Sequence, residues 1–165
     1  MTSSEQINLN VAHPPGENAI EAFNVVLHKR ESKKQGGSKH LEGIKPAILF
    51  SRNELWKNEP RMWSRAQHLS DEELTAFTIE EDLVEIRSAS TSYGQVILGK
   101  IRIPAINDEE GEGFIHVRIH DPPNRGADDV IFHSIFTDEQ KDDEERFVRL
   151  RAIQTRDTPL EFFNE

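Results

Sequence analysis

The 165 residues carry a net charge of −10, with 35% hydrophobic and 30% charged side chains and no cysteine. That length suits a single domain with one core, and the absence of cysteine excludes disulfides, thiolate nucleophiles and cysteine-ligated metals or clusters. The charge divides unevenly: residues 1–68 hold ten Lys/Arg against seven Asp/Glu, net +3, while residues 69–165 hold ten against twenty-three, net −13. An acidic half lacks the basic footprint that phosphate backbones need, so nucleic acid is not the expected partner.

The first residues, MTSSEQINLNVAHPPGEN, show neither the basic start nor the apolar stretch of a secretory signal, and no later run reaches membrane-spanning length. The expectation is a cytoplasmic protein with no membrane partner. Residues 1–17 are polar, with Pro14, Pro15 and Gly16 in tandem, and read as a disordered arm before a single globular domain over 18–165. In NAIEAFNVVLHKR, the residues Ala19, Ile20, Ala22, Phe23, Val26 and Leu27 form a broad helical stripe with Asn18 as its cap; the β-branched NVVL leaves a strand as the alternative. The Lys-, Gly- and Ser-rich stretch that follows reads as a flexible basic loop over 29–45, either solvated or contacting an acidic group.

PAILFS reads as a short buried strand, and ELWKNEPRMWSRAQHL as a helical or irregular segment in which Pro60 can open a turn. Its Trp56 and Trp63 either floor a ligand pocket or pack in the core. SDEEL has the pattern of a capping box: the Ser70 hydroxyl accepts from the Glu73 amide while the Glu73 carboxylate reaches back, which starts a helix. From residue 82 the pattern changes to alternation, which is what a strand with one buried face requires. DLVEIRSAS, GQVILGKIRIP, GFIHVRIH, DVIFHSIF and RFVRLRAIQ read as five strands joined by turn-like connections. The fold class is therefore α+β, sheet-dominated, with an antiparallel meander over 82–154 covered by short N-terminal helices; a partly closed barrel or a sandwich is the alternative. The acidic TDEQKDDEE connection could instead start a helix, since Thr137 and Gln140 also fit a capping box.

The chemistry of the chain gathers in FIHVRIHDPPNRGADDVIFHSIF, residues 114–136. On a helix His116 and His120 would share a face and could hold zinc; on a strand they lie roughly 13 Å apart, too far for one metal. The strict alternation of FIHVRIH favours the strand, so no metal and no redox cofactor are expected. With His116 opposite Ser134, Arg118 faces Phe132 and His133 turns to the core. Shifted by one residue, His116 faces His133, His120 faces Asp129, and a polar cluster forms. The two registers exclude each other because a one-residue slip flips every side chain.

The clustered register would set imidazoles beside carboxylates, the arrangement of an oriented general base. His116, His120, His133 and Asp129 are then the acid–base candidates. Arg118, Asp121, Trp56 and Trp63 are the ligand-contacting ones. The leading expectation is a cup lined by the sheet that binds a small polar or anionic molecule, with metal-independent proton transfer of the isomerase, lyase or cyclase type as its chemistry. The rival is a non-enzymatic protein–protein interaction module with incidental histidines. Leu160, Phe162 and Phe163 must dock either on the chain's own core or on a second copy in a homodimer.

Overall fold

A computed structural model describes residues 8–28, 32–33, 39–40, 43–108, 111–123 and 130–163. Helix α1, Glu17–Val25, buries Ala19, Ala22 and Phe23, the i, i+3, i+4 face that the stripe predicts. Its cap is Gly16 in an extended conformation rather than Asn18, which lies inside the first turn. Val26 and Leu27 are buried just past the helix end. Of the expected loop, Ser32–Lys33 (β1) and Lys39–His40 (β2) pair antiparallel, and helix α2, Ile44–Phe50, begins before residue 45.

Helix α2 overturns the strand reading of PAILFS. Its proline sits in the first turn, where an amide donor is unused anyway, and Ile44 and Ile48, one turn apart, supply the buried stripe. A short apolar run does not by itself distinguish a strand from a buried helix. The helix widens over Ser51–Leu55, where the Trp56 amide reaches back five residues to the Ser51 carbonyl at 2.9 Å. A single 3-10 turn follows at Ser64–Ala66. Helix α3, Asp71–Leu74, has the full capping box: the Glu73 amide donates to Ser70 Oγ at 3.1 Å and the Ser70 amide to Glu73 Oε1 at 2.9 Å. Helix α4, Ile79–Asp82, is capped by Thr78 and leads straight into the sheet.

The main sheet is a four-stranded antiparallel meander, β3 (Leu83–Thr91), β4 (Gly94–Asp108), β5 (Gly111–Asp121) and β6 (Ile131–Ile135), in that spatial order. The expected fifth strand leaves it. β8 (Phe147–Arg151) pairs instead with β7 (Asp138–Lys141), so the segment proposed as a helix start from Thr137 is extended. Charge complementarity selects this pairing, with Asp138 opposite Arg151 and bonded to Arg149 at 3.2 Å. Beyond β8, Gln154 returns to Phe114 of β5 through two backbone bonds of 2.7 and 2.8 Å. Among the described residues no helix is long and apolar enough to cross a membrane.

One face of the sheet, from Ile97, Ile101, Ile103, Ile115, Val117 and Ile119, packs against the helical half in the main core. Gly99 is what lets α1 come close: the Phe23 ring lies 2.5 Å from where a Cβ would stand. The opposite face is also covered. Leu160 and Phe163 close over Val96 and Leu98, with Leu9, Phe136 and Phe162 at the margin. The edge of β3 takes residues 10–13 of the N-terminal segment, with the Asn10 amide on the Ser88 carbonyl at 2.9 Å and His13 bridged to Ile86. Residues 1–7, the start of the expected arm, lie outside the described residues.

Candidate functional site

Strand alternation puts Phe114, His116, Arg118 and His120 on the sheet face away from the main core, alongside Val96, Leu98 and Lys100 of β4. The register to β6 is neither of the two expected. Val117 pairs with Ile135 and Arg118 with Ser134; then a bulge slips the ladder by one, pairing Ile119 with Phe132 and His120 with Ile131. His133 is the extra residue of that bulge. His116 therefore faces Phe136, whose amide donates to its carbonyl at 2.8 Å and whose ring stacks on the imidazole at 6.0 Å between centroids.

His116 is 1% exposed. Burial, helped by the Lys100 ammonium directly opposite on β4, pushes its pKa down to about 3. Its Nε2 makes no hydrogen bond. Burial on this scale favours the neutral imidazole. It is a side chain of the interior.

Phe136 stacks on His116, and the C-terminal strap, residues 155–163, packs on Phe136 through the Phe163 ring, 5.3 Å away between centroids. Three cations on three successive strands donate to carbonyls of the strap: Arg87 to Leu160 at 2.6 Å, Lys100 to Arg156 at 2.7 Å and Arg118 to Phe163 at 2.8 Å. Arg118 also lies 4.6 Å from the centroid of the Phe162 ring. Two of these acceptors, the carbonyls of Leu160 and Phe163, belong to buried residues, where a backbone oxygen needs a donor. Arg118, the expected charge stabiliser, ties the strap down.

His120 and His133 remain outside the strap, half-buried and exposed respectively. The pKa of His133 is lowered by partial burial and by the charges of Arg118 and His120, and its Nδ1 lies 2.6 Å from Ser134 Oγ. Among the described residues, no carboxylate bonds to His116, His120 or His133. Asp129 lies outside the described residues. Asp121 stands elsewhere, in a cavity of about 600 Å³ at the end of the sheet, beside Glu17, Glu21, Ser88 and Gln95. Trp63 is in the main core, with its indole N–H on Ser51 Oγ at 3.0 Å, and half-buried Trp56 packs on that same core. Both tryptophans belong to the side built on Ile115 and Val117, away from His116. The structure brings His120, His133 and Arg118 together and separates them from Asp121 and the two tryptophans.

No family model, curated protein or solved structure matches the chain. Its function must be read from its own surfaces.

A further concavity, not foreseen from the sequence, lies beside β8. A cleft of about 280 Å³ is lined by Arg61, Arg65, Arg149 and Arg151, together with Ser64 and Thr155. Arg149 and Arg151 alternate on β8, and Arg61 and Arg65 are four residues apart; both spacings were legible, but only the fold sets the two pairs side by side. Among the described residues no group of three His, Asp or Glu side chains is arranged to hold a metal ion.

Proposed function

We propose that the chain is a non-catalytic binding module, whose histidines serve its fold and whose charged clefts meet its partners. The observation that carries this reading is the buried imidazole: His116 lies deprotonated beneath Phe136 and a strap held by Arg87, Lys100 and Arg118. The side chains that would have to act as base and charge stabiliser are thereby consumed in packing one segment onto the sheet. His120 and His133 carry no orienting carboxylate among the described residues, whereas an acid–base pair needs one within hydrogen-bond reach.

The test is a proton NMR titration of the imidazoles in the full chain. The reading expects His116 to stay neutral down to about pH 4, and His133 to titrate below the ordinary histidine value, as their burial requires. His116 or His133 titrating clearly above that value would reveal a carboxylate partner and overturn the reading.

One observation favours a second reading, in which the cavity at the sheet end holds a small polar ligand. Its Ser88 and Gln95 offer neutral hydrogen-bonding groups, and its Glu17, Glu21 and Asp121 match a ligand bearing an amine rather than an anion. Chemical-shift mapping with small amines would show perturbation confined to 16–22, 86–97 and 121 if that reading holds, and none if it fails.

A further inference from the structure

Two hydrogen bonds to backbone carbonyls fix the arginine-lined cleft before any ligand arrives. The Ala152 amide donates to the Met62 carbonyl at 2.8 Å, and Arg61 Nη1 donates to the Phe147 carbonyl at 3.0 Å, so the 61–65 turn is stapled to β8 at both ends. Within it the charges are unequally matched. Glu59 takes both free arms of Arg61 at 2.9 Å, but a single oxygen of Asp138 serves Arg149 at 3.2 Å and Arg151 at 3.6 Å. Arg151 Nε, shielded from solvent, makes no hydrogen bond. The Arg151 side chain as a whole is still 38% exposed and lines the cleft, which leaves it open to a ligand oxygen. In a chain of net charge −10, four arginines around one hollow make a local environment that favours an anion.

We infer that this cleft binds the phosphate group of a phosphorylated segment of another protein, received by Arg149 and Arg151 with Ser64 and Thr155 beside them. A tetrahedral dianion presents oxygens to several guanidiniums at once, whereas a planar carboxylate is satisfied by one fork. At about 280 Å³ the hollow lies below the size that encloses drug-sized ligands, roughly 300–1,000 Å³, and matches one phosphate with the side chain that carries it. The surroundings exclude a polyanion. Asp142, Asp143, Glu144 and Glu145 form the tip of the same hairpin and would repel a nucleic-acid backbone, which requires cations along its length. Val148, 60% exposed at the rim, gives an apolar residue of the partner something to cover. The inference rests on the binding-module reading in one respect, that the phosphate is held and not hydrolysed.

The experiment uses the isotopically labelled full chain and four probes: a phosphoserine peptide with apolar neighbours, the same peptide unphosphorylated, inorganic phosphate, and a single-stranded RNA oligomer. Saturable amide shifts confined to 61–65 and 147–155 are expected with the phosphopeptide, with at least tenfold weaker binding of both the unphosphorylated peptide and inorganic phosphate. Arg149→Gln, at a half-exposed position, should weaken the phosphopeptide severalfold, and the Arg149→Gln/Arg151→Gln pair at least tenfold, with shifts elsewhere unchanged. Asp138→Asn, which removes the internal carboxylate, should tighten binding severalfold. No shifts with the phosphopeptide, or equal affinity in the single arginine variant, would overturn the site. Inorganic phosphate or RNA binding as tightly as the phosphopeptide would overturn the peptide source. Release of phosphate from the bound peptide would leave the site standing and overturn the non-catalytic reading.

Discussion

Replacing His116 by leucine should make the protein more resistant to acid. In the unfolded chain this imidazole protonates near pH 6.5, whereas in the fold it holds out to about pH 3. Between those values the unfolded state binds a proton that the native state refuses, so stability falls as pH drops through the window. Each pH unit well inside it costs about 1.4 kcal/mol, and the loss from pH 7 to pH 4 comes to about 3 kcal/mol from this one residue. Against a total of roughly 5–15 kcal/mol, that is a large share. Leucine fills a similar volume against Phe136, has no proton to gain, and leaves no unpartnered Nε2 behind. Urea unfolding of both proteins at several pH values gives the difference directly, because other acid-sensitive groups are common to the two. The two stability curves should diverge by about 3 kcal/mol as pH falls from 7 to 4. Parallel curves would refute the buried, deprotonated imidazole.

Lys100→Met should raise the titration midpoint of His116 while leaving it below the ordinary histidine value, since burial is the larger cause and the lysine charge the smaller; an unmoved midpoint in a histidine NMR titration would contradict the facing placement. Leu160→Ala empties a fully buried site between the strap and Leu98, and should cost about 2–5 kcal/mol in denaturant unfolding. Faster hydrogen exchange on that face of β4 and β5 should accompany it, and unchanged exchange would mean the strap does not pack as described. Gly99→Ala drives a methyl group into the Phe23 ring, 2.5 Å away, and should cost about 1–3 kcal/mol; Phe23→Leu in the same chain should recover part of the loss.

Local rules made several elements legible without coordinates. The SDEEL capping box, the helical stripe of α1 and the alternation along β4 and β5 each depend on neighbours a few residues apart; the box forms in full, the stripe buries Ala19, Ala22 and Phe23, and the strands pair in register. The α+β class with an antiparallel meander follows from them. The α2 segment was ambiguous because Pro46 fits a first helical turn as well as a strand start, and only the buried face shared by Ile44 and Ile48 decides. Thr137 and Gln140 satisfied a helix-start pattern, yet pairing of Asp138 with Arg149 and Arg151 across a hairpin drew the segment into β7.

The candidate site was legible in composition and not in arrangement. Alternation alone determined that His116, Arg118 and His120 share one side of β5, because successive side chains of a strand must point opposite ways. Two things remained for the tertiary structure to decide. The bulge at His133 set a register that neither uniform ladder contains, since a ladder's slip is chosen by packing across strands and not by the strand's own residues. And residues more than forty positions further along folded back to bury that side, because Leu160 and Phe163 had apolar area to hide and Arg87, Lys100 and Arg118 had donors to offer their carbonyls.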